Sequence, residues 1–324
     1  MNSSEITASK VNISKGLPKK INIIMKYKYI YLIMLPGMIF YLLFAYIPIY
    51  GYVLAFKDFM LNKGIMASPW IGLKNFQDLF SDNRFWEVTL NTVIIQAGRI
   101  LFEFPVPIII AILLNEIRVK TFKGFVQSVM YFPYFLSWII MYTILLNIFS
   151  VDGGLLNGLL TAIGLDKINF LSEPSYFRVI VFAASDWKLC GYFVILYMAA
   201  LSTLDYNIYE AALVDGSNRF QRIIHISLPG ITSTIIVMLI LYIANTMNAG
   251  FDSSKGFEQI FNTINDAVRD VGETIDIYVY KEGIQRGHFA LTTAVGLFKA
   301  SVNLVLLIAI DKISRKATGI GLYE

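Results

Sequence analysis

The sequence predicts an all-α integral membrane protein with six transmembrane helices. Three observations carry that expectation. Apolar residues fill 56% of the 324 positions and charged residues only 15%, against about 25% charged in an ordinary soluble domain; the mean hydropathy of +0.61 agrees. The apolar residues are gathered into six blocks close to the roughly 20 residues needed to cross a bilayer. Lys and Arg are distributed unevenly between the segments that connect those blocks.

The elements follow in chain order. Residues 1–29 form a basic tail with Lys10, Lys15, Lys19, Lys20, Lys26 and Lys28, and carry no leader-like pattern of a short apolar run before a small-residue cleavage site. The first block, 30–56, contains Pro36-Gly37 and Pro48; the second, 89–114, contains Pro105 and Pro107. Each proline removes a backbone donor and is expected to kink or open its helix. The third and fourth blocks run over 125–148 and 176–201. The fifth, 231–246, is short and is expected to extend at one end, and the sixth is 289–310. Apolar residues occupy all faces of each block, as lipid-embedded helices require. The chain divides into the tail 1–29, a first span with its following segment (30–86), a core of five spans (87–310) with a loop at 202–230, and a closing tail (311–324).

Orientation follows from Lys and Arg. With the N-terminus cytoplasmic, the inner segments hold 14 of these residues and the larger outer segments hold 9, so both termini are expected inside. The three outer segments are long. The last of them, with mixed aromatic and acidic character over 257–269 and 274–285, has room for short surface helices that touch a soluble partner, or for a solvated connector. The net charge of +4 suggests no nucleic-acid surface. The single cysteine, Cys190, permits no internal disulfide, and His225 and His288 lack metal-ligand spacing.

The informative stretch lies between the fourth and fifth spans. Asn207 with Glu210 three residues on fits a capping box, and Ala211, Ala212 and Leu213 are good helix formers. Gly216 suits the left-handed exit from a helix. Ser217 can cap a second helix, and Pro229 ends the loop at the next span. The expectation is a helix–turn–helix whose first helix is smooth around its alanines, a shape that fits a groove.

Glu210-Ala211-Ala212, Gly216 six residues after the Glu, and Ile226-Ser227-Leu228-Pro229 resemble the EAA motif of ABC-importer permeases, spacing included. Trp187-Lys188, Gly191-Tyr192, Ala200-Leu201, Tyr209, Leu35-Pro36-Gly37, Tyr46-Ile47-Pro48 and the stretch 312–323 are similar to the carbohydrate group of that family, in particular to permeases for oligosaccharides or polysaccharide fragments in Gram-positive bacteria. Two positions depart from the pattern: Ser217 stands where the family often has Ala, and Ser233 where many members have a second Pro.

The resemblance implies the type I importer permease fold in the cell membrane. It also implies a second homologous permease, two cytoplasmic ATPase subunits, an extracellular lipid-anchored binding protein and a sugar cargo. It assigns coupling to the ATPase to Tyr209, Glu210, Ala211, Ala212, Asp215, Gly216, Leu228 and Pro229. No cofactor belongs to this chain; ATP and Mg serve the partner ATPase. The sequence agrees in lacking a G-x-x-x-x-G-K-[ST] phosphate loop.

Ionisable residues at membrane depth are costly and are functional candidates. They are Arg99, Glu103, Asp186, Lys188 and Lys299, with Arg178 near a span end; Arg99 and Glu103, four apart, are expected to pair. A sugar pathway needs hydrogen-bonding groups beside aromatic rings. Tyr142, Asn147, Asp186, Trp187, Lys188, Tyr192, Asn245, Asn248 and Lys299 are the candidates, each equally able to serve helix packing or interface anchoring.

Other classes fit less well. A membrane enzyme acting on lipid or glycan needs a catalytic cluster, and no His-rich box or paired acidic motif occurs. An ion channel needs a filter loop or a periodic Arg helix, and neither is found. Within importers the alternative cargo is another organic solute, such as glycerol phosphate or an amino acid; a phosphate calls for additional cations lining the cavity.

Overall fold

Among the described residues of the computed structural model, 27–248 and 253–322, regular structure is helical, with one isolated bridge between Lys57 and Trp70. The chain falls into two units, one ending at Val53 and one running from Leu54. Among the described residues four helices are long and apolar enough to cross a membrane: Lys28–Phe56, Asn83–Asn115, Pro174–Ser202 and Phe289–Thr318. Two bent pairs, Lys120–Phe135 with Trp138–Phe149 and Arg219–Gly230 with Thr232–Ala244, bring the total to six if each pair is counted as one span.

The described part of the first unit, 27–53, holds most of the first span. Helix α1 (Lys28–Tyr41) carries Pro36 without a break. A π turn at Leu42–Tyr46 then precedes Pro48. Pro48 has no N–H to donate to the carbonyl of Phe44, and the widened turn accommodates the missing bond.

In the second unit, α2 (Lys74–Ser81) leads to α3 (Asn83–Phe102) and α4 (Pro105–Asn115). The Asp82 carboxylate caps α3 by accepting the Arg84 N–H at 2.8 Å. The break at 103–104 comes where Pro105 and Pro107 leave the carbonyls of Leu101 and Glu103 without helical donors, as the sequence led one to expect. The third span departs from expectation. It is not one helix over 125–148 but α5 (Lys120–Tyr131) with a 3-10 turn (Phe132–Phe135), then α6 (Trp138–Phe149), bent by 104°. Pro133 starts the tight turn, Leu136 is extended, and Ser137 caps α6 through the Ile140 N–H. Local capping chemistry thus overrides continuous hydrophobicity.

Helix α7 (Leu155–Ala162) precedes the 29-residue α8 (Pro174–Ser202). The buried side chain of Asn157 closes the intervening loop, donating to Ser150 O and Ile168 O at 3.0 and 2.9 Å and accepting the Ile168 N–H at 2.8 Å. After it come α9 (Tyr206–Val214), α10 (Arg219–Arg222) and α11 (Thr232–Ala244). The fifth span extends at its N-terminal side, through 219–230, with a bend of 58°. Helices α12 (Ser253–Thr263), α13 (Arg269–Gly272) and α14 (Ile275–Val279) precede the 30-residue α15 (Phe289–Thr318).

Helices α4, α8 and α11 share the largest core, where Phe104, Ile108 and Ala111 meet Phe193, Val194 and Tyr197 with Met238 and Tyr242. Lipid tails are as apolar as these side chains, so close backbone approach rather than the hydrophobic effect drives their association. Gly191 allows one such approach: a Cβ there would lie 2.3 Å from the Met130 carbonyl oxygen. Gly98 allows another, beneath the Phe182 ring.

The segment after the fifth span forms helices, as expected, but it is not a solvated connector. Ile260, Val268 and Ile277 are buried against Ile95 of α3 and Phe177 and Val181 of α8. Polar bonds fix the register: Asn91 Nδ2 donates to Asp270 O at 2.8 Å, Arg178 donates to Val271 O at 3.1 Å, and the Ile275 N–H donates to Thr92 Oγ1 at 2.9 Å. Glu273 is the hub. Its carboxylate is 1% exposed and is met by Arg84, by Lys281 at 2.6 Å and by Arg269 at 3.2 Å. Burial works to raise the Glu273 carboxyl, but the hydrogen bonds from Lys281, Arg84 and Arg269 outweigh it and hold the group below its ordinary range.

A carboxyl lowered in the folded state adds stability above its unfolded value, near about 4.3; that stability is lost as pH falls through the lowered folded value. Hydrogen-exchange protection factors for α13 and α14 are therefore expected to stay level from neutral pH to about 5 and to fall only in stronger acid. Glu273→Gln should lower protection at neutral pH and flatten the acid dependence.

Candidate functional site

The loop between α8 and α11 is a rigid helix–turn–helix. Its first helix is capped by Asp205, whose carboxylate accepts the Asn207 N–H at 3.0 Å. The expected capping box on Asn207 and Glu210 is not formed, because the helix starts two residues earlier. At the other end Gly216 takes φ +80°. Its N–H bonds Leu213 O at 3.1 Å, and the Ser217 N–H bonds Ala212 O at 2.9 Å. The pair makes a complete Schellman motif, which only a residue without Cβ enters freely.

The second helix is capped by Asn218 rather than Ser217. Asn218 Oδ1 accepts the Gln221 N–H and Gln221 Oε1 accepts the Asn218 N–H, both at 2.8 Å, a full capping box. Arg222 is buried and donates to Ser217 O at 2.8 Å, tying the helix back to the turn. A π turn at Ile223–Ser227 runs into Leu228–Gly230, so Pro229 does not end the loop but sits in a helical turn that leads into α11. The two helices are closed by one bond, Tyr209 Oη to Ser227 Oγ at 3.0 Å. Gly230 lies so close to Leu204 that a Cβ would come within 2.6 Å of its side chain.

The face this unit offers is mixed. Val214 is 88% and Phe220 70% exposed, with Tyr206, Ile208 and Leu213 exposed nearby. Glu210 and Ala211 are exposed, and Ala212 is partly buried. None of the described residues makes an ion pair with the Glu210 carboxylate. Apolar side chains so exposed, beside a carboxylate, are suited to contact with a protein partner or the membrane surface.

The polar residues at membrane depth fall into separate groups. Arg99 and Glu103 pair at 3.5 Å, as expected. Sequence reasoning missed the rest of their network: Ser185 Oγ donates to Glu103 Oε2 at 3.0 Å, Arg99 donates to Gln259 Oε1, and Gln259 Nε2 donates to Val181 O at 2.6 Å. All four side chains are at least 95% buried. Gln259 was hidden because it sits in the segment read as an outer connector.

Lys188 is buried, and its ammonium donates to the carbonyls of Pro133, Tyr134 and Leu136. It satisfies the acceptors freed by the break in the third span. Lys299 is bound to Asp276. Tyr192 stacks on Tyr134 at 5.0 Å, and Tyr134 on Tyr131 at 5.5 Å, with rings nearly parallel in both pairs. Trp187 is exposed on the neighbouring turn and Asn147 is exposed on α6, while Tyr142 is partly buried there. Asn245 donates to Leu241 O at 2.8 Å and accepts from Asn248 at 3.1 Å. Asp186 lines a different face of α8, with Val179, Phe182 and Ala183. The nine pathway candidates thus do not form one constellation.

Removing the Tyr209 hydroxyl leaves the Ser227 hydroxyl, buried between the helices, without that partner. Tyr209→Phe is expected to cost about 0.5–1.5 kcal/mol of local stability. Trypsin cleavage after Arg219 and Arg222 is the measure: it should quicken in the variant and be unchanged elsewhere in the chain.

Residues 103–319 match the family described as "Binding-protein-dependent transport system inner membrane component". The chain is 42% identical over 296 residues to the polygalacturonan/rhamnogalacturonan transport system permease protein YteP of Bacillus subtilis, covering 91% of this chain and 90% of that one. It is 40% identical to protein LplB of the same organism, covering 91% of each. Among solved structures, a chain of a bacterial alginate ABC transporter in complex with an alginate pentasaccharide-bound periplasmic protein superposes with a TM-score of 0.84 at 32% identity. The superposition covers 93% of this chain and 99% of that one.

Proposed function

The chain belongs to the binding-protein-dependent transport inner-membrane family, and on that premise we propose that it is one permease of an ATP-driven importer for oligosaccharides or polysaccharide fragments. It forms half of the translocation pathway. The observation that carries this reading is the loop at 205–230: two short helices, capped at each turn and clamped by Tyr209 and Ser227, presenting Glu210, Val214 and Phe220 to a partner. On this reading both termini and the loop are cytoplasmic, and a pair of separate ATPase subunits receives the loop in surface grooves. Glu210 meets a basic residue of the groove. Ala211 and Ala212 permit close approach, and Asp215 and Gly216 make the turn. Leu228 and Pro229 pass movement into the fifth span.

Rigidity matters here because a soft loop would absorb the displacement of the ATPase instead of transmitting it. The capping bonds and the Schellman turn leave little freedom between α9 and α10. A second homologous permease completes the pathway, and an extracellular binding protein delivers the cargo at the opposite end of the bundle.

For the cargo, the Tyr192–Tyr134 stack supports a carbohydrate, because pyranose rings present apolar faces to aromatic surfaces. Among the described residues the cations at membrane depth are engaged internally: Arg99 with Glu103 and Gln259, Lys188 with carbonyls, Lys299 with Asp276. This disfavours a phosphorylated solute, whose recognition calls for uncommitted Lys or Arg. The relatives named for polygalacturonan/rhamnogalacturonan and alginate fit the carbohydrate class, with recognition by this chain resting on rings and hydroxyls rather than on charge.

Uptake in proteoliposomes with neutral oligosaccharides, uronate oligosaccharides and glycerol phosphate tests the cargo; preferred uptake of glycerol phosphate overturns the sugar assignment. Glu210→Lys is expected to abolish cargo-stimulated ATP hydrolysis while the chain stays in the membrane. Reversal of a buried charge contact costs roughly 2–5 kcal/mol. Unchanged stimulation in that variant would remove Glu210 from the coupling contact.

A further inference from the structure

Between the end of α3 and the first half of α8 lies a groove of about 240 Å³, lined by Phe102, Glu103, Val179, Phe182, Ala183 and Asp186. Val179, Phe182, Ala183 and Asp186 follow the spacing i, i+3, i+4, i+7, so they form one stripe along α8. Its walls are apolar except for two carboxyl groups. Glu103 is held from behind by Arg99 and Ser185. Asp186 Oδ1, like Glu103 Oε1, is shielded from solvent and has no hydrogen-bond partner among the described residues, but unlike Glu103 it has no described cation beside it.

A carboxylate at this depth cannot be left against lipid, whose tails offer no donor. Water can donate to the two carboxyl groups but brings no charge to balance them where the surroundings are apolar. What fits is a single long side chain carrying several donors and a positive charge. From this geometry we infer that the groove seats a Lys or Arg from a membrane-spanning helix of the second permease, which bonds Asp186 as the helix covers Val179 and Ala183. The inference rests on the two-permease reading above. The first span of this chain offers no such residue at depth: over 28–56 its basic residue is Lys28, at the very end.

The test uses the assembled transporter in native membranes. A benzophenone amino acid in place of Ala183, which is exposed on the groove wall, is expected to cross-link to the second permease. The adduct should map by mass spectrometry to a spanning segment bearing Lys or Arg, with a yield at least fivefold above that of the same probe at Leu304, an exposed position of α15. Adducts to lipid alone, or to a second copy of this chain, overturn the inference. If the second permease is present in the purified assembly but never captured from position 183, only the groove assignment fails; if it is absent from the assembly, the two-permease reading fails with it.

Charge exchange supplies an independent measure. Asp186→Lys should lower co-purification of the second permease at least fivefold, and Asp replacing the mapped cation should restore it in the double variant. Loss without restoration, or no loss, counts against the contact.

Discussion

The buried network of Arg99, Glu103, Ser185 and Gln259 is the interaction around which the bundle is arranged. Two opposite charges have been taken out of water, which is costly unless every remaining donor and acceptor is met. Here the partners come from three parts of the chain, the end of α3, the middle of α8, and α12, while Glu103 Oε1 has the Arg99 guanidinium at 3.5 Å as an ion-pair partner and accepts no hydrogen bond among the described residues. Gln259 is the decisive member, since it accepts from Arg99 and donates to the Val181 carbonyl. That bond holds the segment after the fifth span inside the bundle instead of letting it lie on the surface.

The same rule governs the other polar groups. Pro133 and the bend at 136–137 free backbone carbonyls that lipid cannot satisfy. Lys188 reaches across from α8 and satisfies them. Glu273 gathers three cations at the end of the bundle where α13 and α14 meet α3. Arg99, Lys188 and Glu273 are each tied to a place where the backbone or a neighbouring helix needs the charge. The chain reaches its stacked tyrosines and its loop with its cations already engaged.

The loop joins this scaffold to the proposed coupling role. Its shape depends on short-range bonds: the Asp205 cap, the left-handed Gly216 and the Asn218–Gln221 box. Its position depends on long-range contacts, the Tyr209–Ser227 bond and the approach of Gly230 to Leu204. A movement applied at Glu210 is carried along a stiff unit into α11.

The sequence by itself determined the helical membrane class, the approximate spans, the opening at Pro105 and Pro107, the Arg99–Glu103 pair and the turn at Gly216. Each depends on composition, or on residues a few positions apart, and such signals are local. It missed the caps of the loop by one or two residues because Asp205, Asn207, Ser217 and Asn218 are all competent caps; small differences in where the helices must start select among them. Tertiary structure alone decided the role of Lys188 and the burial of Gln259, Ile260, Val268 and Ile277. These rest on partners far away in sequence, Gln259 with Arg99 and Lys188 with Leu136. Hydropathy cannot reveal them, because it records how apolar a segment is and not which distant donor its buried carbonyls and carboxylates will meet.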